Sequence, residues 1–379
     1  MNCAGGGLLF VGAVDYYVRR SLEGRHVPLF CVHSPRLHGM RYLITGGAGF
    51  IGSHLTDRLI DAGHHVHAYD NLSTGNRANV EQWADHEQFT LTVGNVLDEQ
   101  TLEQCVEACD RIVHLAAAVG VKRIMETPVE TIQTNVGGTE NVLELARAHD
   151  KKTLIASTSE IYGKAMQKDS SLDALSEEGD WTLGATSKRR WAYACSKAMD
   201  EFLAKAYYDE YDLPVICVRF FNTVGPRQSS RYGMVIPNFV QRALADEPIQ
   251  VHGDGTQTRC FTHVNDAIRA VMGLLETPEA EGEIFNVGQR DEISIKELAE
   301  RVRNLSGSSS KITYIPYEDV YGPGFEDMKR RTPDISKLQS TIDFTPKFSL
   351  DDILQDVIEE MTSQSGTTDK EKQFDSSRS

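Results

Sequence analysis

The chain has 379 residues, of which 40% are hydrophobic, enough to build one large domain or two modest ones. Its 39 basic and 55 acidic residues give a net charge of −16, which argues against nucleic acid as a general partner. The sequence contains no apolar stretch of the roughly 18–20 residues that a membrane span needs. Its seven cysteines are scattered without a metal-binding spacing, so we expect a reduced, cytoplasmic protein with no metal site.

Both ends of the chain are expected to lie outside the fold. The apolar segment GGGLLFVGAV (5–14) lacks the preceding basic residues of a secretory signal. Met40 stands directly before the first strong strand, so residues 1–39 are interpreted as an N-terminal extension. Residues 363–379 lack apolar side chains apart from Phe374 and are predicted to form a disordered tail.

From residue 40 onward, short strand-like segments alternate with helical ones. The strand segments are RYLIT, HVHAYD, FTLTVGN, RIVHLAA, KTLIAST and PVICVRFF. Their apolar runs are continuous, which predicts strands covered on both faces, and the alternation with helices predicts a parallel sheet. We therefore predict an α/β fold with a Rossmann-type doubly wound sheet over residues 40–225. A smaller mixed lobe over residues 226–362, interleaved with the first, is expected to be mainly substrate-binding.

The first predicted strand runs into a glycine-rich turn, TGGAGFIGSHL, that opens a helix. Gly46, Gly49 and Gly52 allow a tight turn and a close approach of the backbone to a pyrophosphate at the helix N-terminus. Asp70 ends the second strand 18 residues after Gly52, where a carboxylate can accept hydrogen bonds from the ribose hydroxyls of adenosine. This context predicts a dinucleotide site and favours NAD over NADP.

The segment WAYACSK places Tyr193 and Lys197 four residues apart, on one face of a predicted helix. A free tyrosine has a pKa of about 10, and a nearby ammonium lowers that pKa, so the pair can supply a base. One such spacing is expected by chance in a chain of this composition. Its weight comes from its position, downstream of the nucleotide turn and of the strand that ends in STSE (157–160).

Together, TGGAGFIGSHL, Asp70, HLAA, TSEIYG, YACSK, RFFNTVGPR and RRTPD resemble the extended short-chain dehydrogenase/reductase family over roughly residues 40 to 360. More narrowly, they resemble its nucleotide-sugar epimerases, dehydratases and decarboxylases. The resemblance implies NAD as cofactor, a nucleotide sugar (a UDP-sugar first) as substrate, and a homodimer formed through helices that include the one bearing Tyr193. It makes Tyr193 the base, Lys197 its support at the nicotinamide ribose, and Thr158 the partner of the sugar C4 oxygen.

The same resemblance implies further site residues. Those at the cofactor are Phe50, Ile51, Asn71, Asn95, Val96, Leu115, Ala116 and Asn135. Those near the diphosphate or the sugar are Asn222, Arg227, Arg259 and Arg331. An arginine fork suits phosphate and carboxylate because it binds two oxygens at once. The family often has aspartate in place of Asn95, so the contact of that residue with adenine is the least supported.

Oxidation at C4 of the sugar leaves three outcomes open: 4-epimerisation, 4,6-dehydration, and loss of a C6 carboxylate as carbon dioxide. Ser159 and Glu160 resemble the Ser-Glu pair of UDP-glucuronate decarboxylases, which also occurs in GDP-mannose 4,6-dehydratases, whereas epimerases usually have a small residue in place of Glu160. The segments NVEQWADHEQFTL and RRTPD resemble decarboxylases, but VGVKRIMETP resembles the epimerases or dehydratases. We predict UDP-glucuronate decarboxylation, with the other two reactions and an NAD-binding sensor or scaffold as alternatives.

Overall fold

The computed structural model describes residues 39–230, 233–322 and 326–376. The predicted N-terminal extension therefore lies outside the described residues, apart from Gly39. The strands of the described part are β1 (Arg41–Thr45), β2 (His65–Asp70), β3 (Phe89–Val93), β4 (Arg111–His114), β5 (Lys152–Thr158), β6 (Val215–Phe220), β7 (Thr223–Val224), β8 (Ile249–His252), β9 (Thr258–Cys260), β10 (Thr262–His263), β11 (Ile284–Val287), β12 (Glu292–Ser294) and β13 (Ile312–Ile315).

The α-helices of the same part are α1 (Phe50–Asp61), α2 (Glu99–Glu107), α3 (Val121–Glu126), α4 (Pro128–Ile132), α5 (Gly138–Ala148), α6 (Ala165–Lys168), α7 (Trp191–Tyr211), α8 (Val235–Leu244), α9 (Val264–Glu276), α10 (Ile295–Leu305), α11 (Tyr317–Tyr321), α12 (Ser336–Ile342) and α13 (Leu350–Ser376). Short 3-10 turns cover Arg77–Trp83, Ser159–Tyr162 and Pro278–Ala280, and a π-helical turn covers Gln133–Gly137. None of the helices in the described ranges combines the length and the apolarity needed to cross a membrane.

The central sheet has seven strands in the order β11–β6–β5–β4–β1–β2–β3, and every neighbouring pair is parallel. The predicted doubly wound parallel sheet is therefore confirmed. Successive side chains of a strand point to opposite faces, so Leu43 and Ile44 of β1 enter different cores. Helices α1 and α9 cover one face of the sheet, and α2, α5 and α7 cover the other.

The strand order reverses between β1 and β4, because the chain first builds outward to β3 and then returns to the other side of β1. In open α/β sheets such a switch point leaves a crevice at the carboxyl ends of the strands, where ligands bind. The fold therefore directs the search for a site to the loops that follow β1, β4 and β5.

The chain after residue 225 contributes to two places. β11 joins the central sheet beside β6, whereas α8, α10 and α13 enclose a separate core that includes Ile236, Leu298 and Ile353. The boundary near residue 225 stays a prediction.

The backbone of α13 remains helical to Ser376, whereas we expected a disordered tail from residue 363. Residues 363–376 contain no proline, and the run KEKQ consists of residues that favour a helix, so local propensity permits this continuation.

Candidate active site

A cleft of about 1130 Å³ lies at the carboxyl ends of the central strands. Its walls include the residues that follow β1, the end of β2, the loops after β3 and β4, and the end of β5. Sites for a single small ligand usually have volumes of roughly 300–1,000 Å³. The cleft is therefore large enough for two ligands side by side.

The glycine turn forms the floor of one end of the cleft. Gly46 has a φ of +73°, a left-handed conformation that favours glycine, and a β-carbon on Gly52 would overlap the carbonyl oxygen of Gly46. Among the described side chains none caps the N-terminus of α1, so its first amide groups remain free for a ligand. Phe50 and Ile51, in this first turn, also line the cleft. A helix N-terminus of this kind suits a phosphate group.

Asp70 lies at the end of β2 and is buried beside this turn. Its carboxylate accepts hydrogen bonds from the amides of Ala48 (3.0 Å) and Leu72 (2.8 Å), so it also fixes the glycine loop. Burial raises the pKa of Asp70, and these amide hydrogen bonds act in the opposite direction. A carboxylate has about four lone-pair positions, so acceptor capacity remains for a ribose hydroxyl.

The other residues expected at the cofactor are brought to the same end of the cleft. Its lining includes Asn71, Asn95, Val96, Leu115 and Ala116. The side-chain oxygen of Asn95 accepts a hydrogen bond from the amide of Leu97 at 3.0 Å, so this side chain shapes its own turn.

Asn135 stands behind the wall of the cleft rather than in its lining. It lies in the π-helical turn, where its oxygen accepts a hydrogen bond from the amide of Ala118 (2.7 Å) and its amide donates one to the hydroxyl of Ser196 (3.1 Å). Asn135 therefore ties the loop after β4 to α7, which fits the supporting position expected for it.

Tyr193, Thr158 and Glu160 meet in the middle of the cleft. β5 ends at Thr158, whose hydroxyl oxygen caps the following turn by accepting a hydrogen bond from the amide of Glu160 at 3.2 Å. Burial raises the pKa of Tyr193 well above its usual value, and the carboxylate of Glu160 raises it further. A hydrogen bond with the Thr158 hydroxyl and the charge of Arg331 oppose this shift. Ser159 completes the lining here.

Lys197 lies one helical turn after Tyr193 and also lines the cleft, but its ammonium is paired with Asp200 at 2.5 Å. We predicted that Lys197 would lower the pKa of Tyr193. The pKa of Tyr193 is instead raised, chiefly by burial and then by the charge of Glu160, and Asp200, a residue that the motif did not single out, adds a smaller contribution in the same direction.

Arg331 is buried and lines the cleft beside Glu160. Its Nη2 donates to the side-chain oxygen of Asn222 at 2.6 Å, and its Nη1 lies 3.6 Å from Oε1 of Glu160. Its Nε and Nη1 are buried and have no hydrogen-bond partner within the described residues. Burial and the neighbouring charge of Arg259 lower the pKa of Arg331, and the charges of Glu160 and Asp327 act in the opposite direction.

Arg259 lines the cleft as expected but is already paired. Its Nη2 lies 3.1 Å from both carboxylate oxygens of Asp327, which also accepts a hydrogen bond from Tyr317 and lies 3.4 Å from Arg190. Our reading of the sequence missed Arg190 and Asp327. The KRRW segment beside the tyrosine motif could have indicated Arg190, whereas no local signal distinguishes Asp327.

Arg227 is not among the residues that line the cleft, and its expected position near the diphosphate or the sugar stays a prediction. Its Nη1 pairs with Asp57 of α1 at 2.8 Å, and its amide donates to Glu360 of α13. Through these two contacts, Arg227 links α1 to α13.

Comparison with known proteins agrees with this geometry. The family described as GDP-mannose 4,6 dehydratase matches residues 43–357. A UDP-N-acetyl-alpha-D-glucosaminuronate decarboxylase from Bacillus cytotoxicus is 42% identical over 324 residues, which cover 84% of this chain and 97% of that protein. UDP-glucuronic acid decarboxylase 1 from Xenopus tropicalis is 36% identical over 318 residues, which cover 84% of this chain and 71% of that protein.

Two solved structures are similar as well. The UDP-glucuronic acid 4-epimerase of Bacillus cereus, in complex with UDP-glucuronic acid and NAD, is 29% identical with a TM-score of 0.75, over 86% of this chain and 100% of that one. A dTDP-glucose 4,6-dehydratase from Streptomyces venezuelae with NAD bound is 28% identical with a TM-score of 0.77, over 86% and 98% of the two chains.

Proposed function

We propose a specific reaction for this chain, which belongs to the GDP-mannose 4,6-dehydratase family of NAD-dependent nucleotide-sugar enzymes. The reaction is the decarboxylation of a UDP-uronic acid through a 4-keto intermediate, with UDP-glucuronate as the predicted substrate. Two relatives of this chain are named as decarboxylases of UDP-uronic acids, and they support this choice of reaction.

One observation carries the choice of a uronic acid over a neutral sugar: the buried guanidinium of Arg331. The choice of decarboxylation over 4-epimerisation of that acid rests on the similar decarboxylases. Its Nε and Nη1 lack hydrogen-bond partners among the described residues, and it lies within 3.6 Å of Glu160 at the catalytic centre. A buried, incompletely paired guanidinium is costly unless an anion completes its surroundings. A uronic acid provides such an anion at C6, whereas a neutral hexose offers only a hydroxyl there.

The residues that would hold NAD fit that group. Glycine lets the turn from Gly46 to Gly52 close tightly, since a β-carbon on Gly52 would overlap the carbonyl oxygen of Gly46, and the uncapped start of α1 can bind the pyrophosphate. Asp70 would accept hydrogen bonds from the adenosine ribose, and Lys197 lines the cleft beside Tyr193. When bound, NAD supplies the oxidant that accepts a hydride from C4 and later returns it.

The chain's own residues then transfer the proton of the C4 hydroxyl and hold the C4 oxygen in place. Tyr193 takes the proton of the C4 hydroxyl while Thr158 holds the same oxygen, and the product is a β-keto acid. The C5–C6 bond breaks, the C6 carboxylate leaves as carbon dioxide, and the electron pair passes into an enolate across C4 and C5. A proton from water enters at C5. Tyr193 finally returns its proton to the C4 oxygen as the ketone is reduced.

A second substrate is favoured by the 42% identical relative, whose name specifies an N-acetylated uronic acid.

The decisive experiment incubates the protein and NAD with five nucleotide sugars separately: UDP-glucuronate, UDP-N-acetylglucosaminuronate, UDP-glucose, GDP-mannose and dTDP-glucose. Products are then identified by mass and chromatography. We expect loss of carbon dioxide from a UDP-uronic acid, and the better of the two acids identifies the substrate.

The same panel separates the alternatives. Loss of water would identify a dehydratase, and a product of unchanged mass with a new retention time would identify an epimerase. UDP-glucose serves as the matched control because it shares the nucleotide but has no carboxylate. NAD binding without turnover of any sugar would favour a sensor or scaffold. Any of these results would overturn the proposed decarboxylation.

We also propose that the chain forms a homodimer through an exposed apolar surface on α4 and α7, consisting of Val129, Ile132, Met199 and Phe202. These side chains are 66%, 44%, 49% and 63% exposed, respectively, and the two helices pack beside each other. Clusters of large exposed apolar residues commonly mark a protein–protein interface. The five free cysteines of the described residues support a reducing, cytoplasmic location for this assembly.

Substitution of both Met199 and Phe202 by aspartate is expected to convert the dimer into a monomer, because two buried charges per subunit oppose association. Sedimentation velocity measures the mass of the unaltered and substituted proteins. The control is Trp181→Asp, which places a charge at a 45% exposed aromatic outside the α4/α7 surface and should leave the dimer intact. A monomeric unaltered protein would refute the proposal.

A further inference from the structure

Lys197 and Asp200 form a buried ion pair on the inner side of α7. The ammonium lies 2.5 Å from Oδ2 of Asp200, and the two side chains are 3% and 0% exposed. Oδ1 of Asp200 is buried without a hydrogen-bond partner among the described residues. Because few water molecules screen a pair that is buried this deeply, each of its charges acts strongly on neighbouring ionisable groups.

Along α7, Lys197 follows Tyr193 by about one helical turn and Asp200 follows it by about two, and the two opposite charges of the pair act on a phenol with opposite signs. A positive charge stabilises the phenolate, and a negative charge destabilises it. Burial raises the pKa of Tyr193 most, and the charges of Glu160 and Asp200 raise it further, against the charge of Arg331. The Asp200 carboxylate therefore opposes the effect that the Tyr-x-x-x-Lys spacing is meant to produce.

We propose that Asp200 is a positioning residue that holds the Lys197 ammonium and offsets its charge at Tyr193, so that Asp200 sets the pH at which the tyrosine becomes a base. The inference rests on the proposed function only in taking Tyr193 as the base. It adds a residue, outside the Tyr-x-x-x-Lys motif, that controls the protonation of that base.

The other titratable groups around the pair do not substitute for Asp200. From the sheet, His114 of β4 and Cys217 of β6 face the pair; burial lowers the pKa of His114 to about 3 and raises that of Cys217, so both are uncharged near neutral pH. From α7 itself, the carboxylate of Glu201 is engaged by the guanidinium of Arg219 at 2.7 Å. Asp200 is thus the carboxylate that pairs directly with the Lys197 ammonium.

The test compares Asp200→Asn with the unaltered protein, both loaded with NAD. The phenolate of Tyr193 is followed by near-ultraviolet absorbance during a pH titration, as the difference between each protein and its Tyr193→Phe counterpart. We expect the midpoint to fall by roughly one pH unit in Asp200→Asn, because a like charge near the phenolate has been removed. The acidic limb of kcat/KM, measured on the same samples, should move in parallel.

Two further variants serve as controls. Asp209→Asn removes a carboxylate from the same helix, 3.2 Å from Lys205 but exposed, and should leave the midpoint unchanged. Asp200→Glu keeps the charge and should titrate like the unaltered protein.

An unchanged midpoint in a folded Asp200→Asn protein would overturn the proposal. If that variant does not fold, Lys197→Met/Asp200→Asn leaves no unpaired buried charge, and its midpoint should stay near that of the unaltered protein. A clearly higher midpoint in this double variant would mean that Lys197 alone governs Tyr193, and would also overturn the proposal. The absorbance readout does not depend on which sugar is the natural substrate, because the titration contains none, so it tests this proposal separately from the proposed reaction.

Discussion

Replacement of Tyr193 by phenylalanine is expected to reduce kcat by about 10³-fold while NAD binds almost unchanged. The substitution keeps the ring between Thr158 and the cleft but removes the hydroxyl that takes and returns the proton of the C4 oxygen. A well-placed acid–base group typically contributes 10²–10⁴ to a rate, and the Tyr193 hydroxyl is hydrogen-bonded to Thr158 in the cleft. Product formation by mass spectrometry measures kcat, and a fluorescence titration measures the affinity for NAD.

Tyr211 provides the matched control. It lies at the end of the same helix, 53% exposed, so Tyr211→Phe removes a hydroxyl from α7 without touching the cleft. We expect this variant to keep full activity. If Tyr193→Phe turned over the UDP-uronic acid at the unaltered rate, Tyr193 would not be the base, and the acid–base scheme for the cleft would be wrong.

The sheet and the nucleotide turn could be predicted because their signals are local. Strand β1 is an apolar segment that runs directly into the glycine turn, and the six predicted strand segments contain β1 to β6. β11, the strand at the edge beside β6, could not be placed in the same way. The four residues IFNV carry no sign of where they pair, because pairing between strands distant in sequence depends on tertiary packing.

The same distinction explains the site. Thr158, Glu160 and Tyr193 belong to motifs whose spacing fixes their place at the end of a strand or on a helix face. The pairing of Lys197 with Asp200, by contrast, depends on how α7 is buried against the sheet, which the spacing alone does not reveal.

The arginines follow the same rule. Any arginine near a strand end can pair with whichever carboxylate the fold brings to it, and for Arg227 that carboxylate is Asp57 on the outside of α1. For Arg259 it is Asp327, contributed from 68 residues further along the chain. Residue type and motif therefore predicted which groups are available, and the tertiary structure decided which of them face the cleft.

Arg331 is the second residue for which we expect a large effect, and it tests the choice of substrate directly. Arg331→Gln should reduce kcat/KM for the UDP-uronic acid by roughly 100-fold. Without the guanidinium, the C6 carboxylate would face Glu160 in a buried site where the neighbouring charge of Arg259 is already paired with Asp327. Loss of one partner from a buried charge pair costs about 2–5 kcal/mol, and 2.7 kcal/mol corresponds to about 100-fold.

The neighbouring Arg330 supplies a control of the same chemistry one position away. It is exposed and pairs with Glu292 at 2.9 Å, so Arg330→Gln should change kcat/KM by less than about twofold. Thermal unfolding of both variants separates a loss of recognition from a loss of fold. UDP, as a competitive inhibitor without a sugar, should bind Arg331→Gln nearly as well as the unaltered protein, since the guanidinium is assigned to the carboxylate. If Arg331→Gln is as active as Arg330→Gln, or if it weakens UDP as much as the uronic acid, Arg331 does not recognise the carboxylate and the main argument for a uronic acid as substrate is lost.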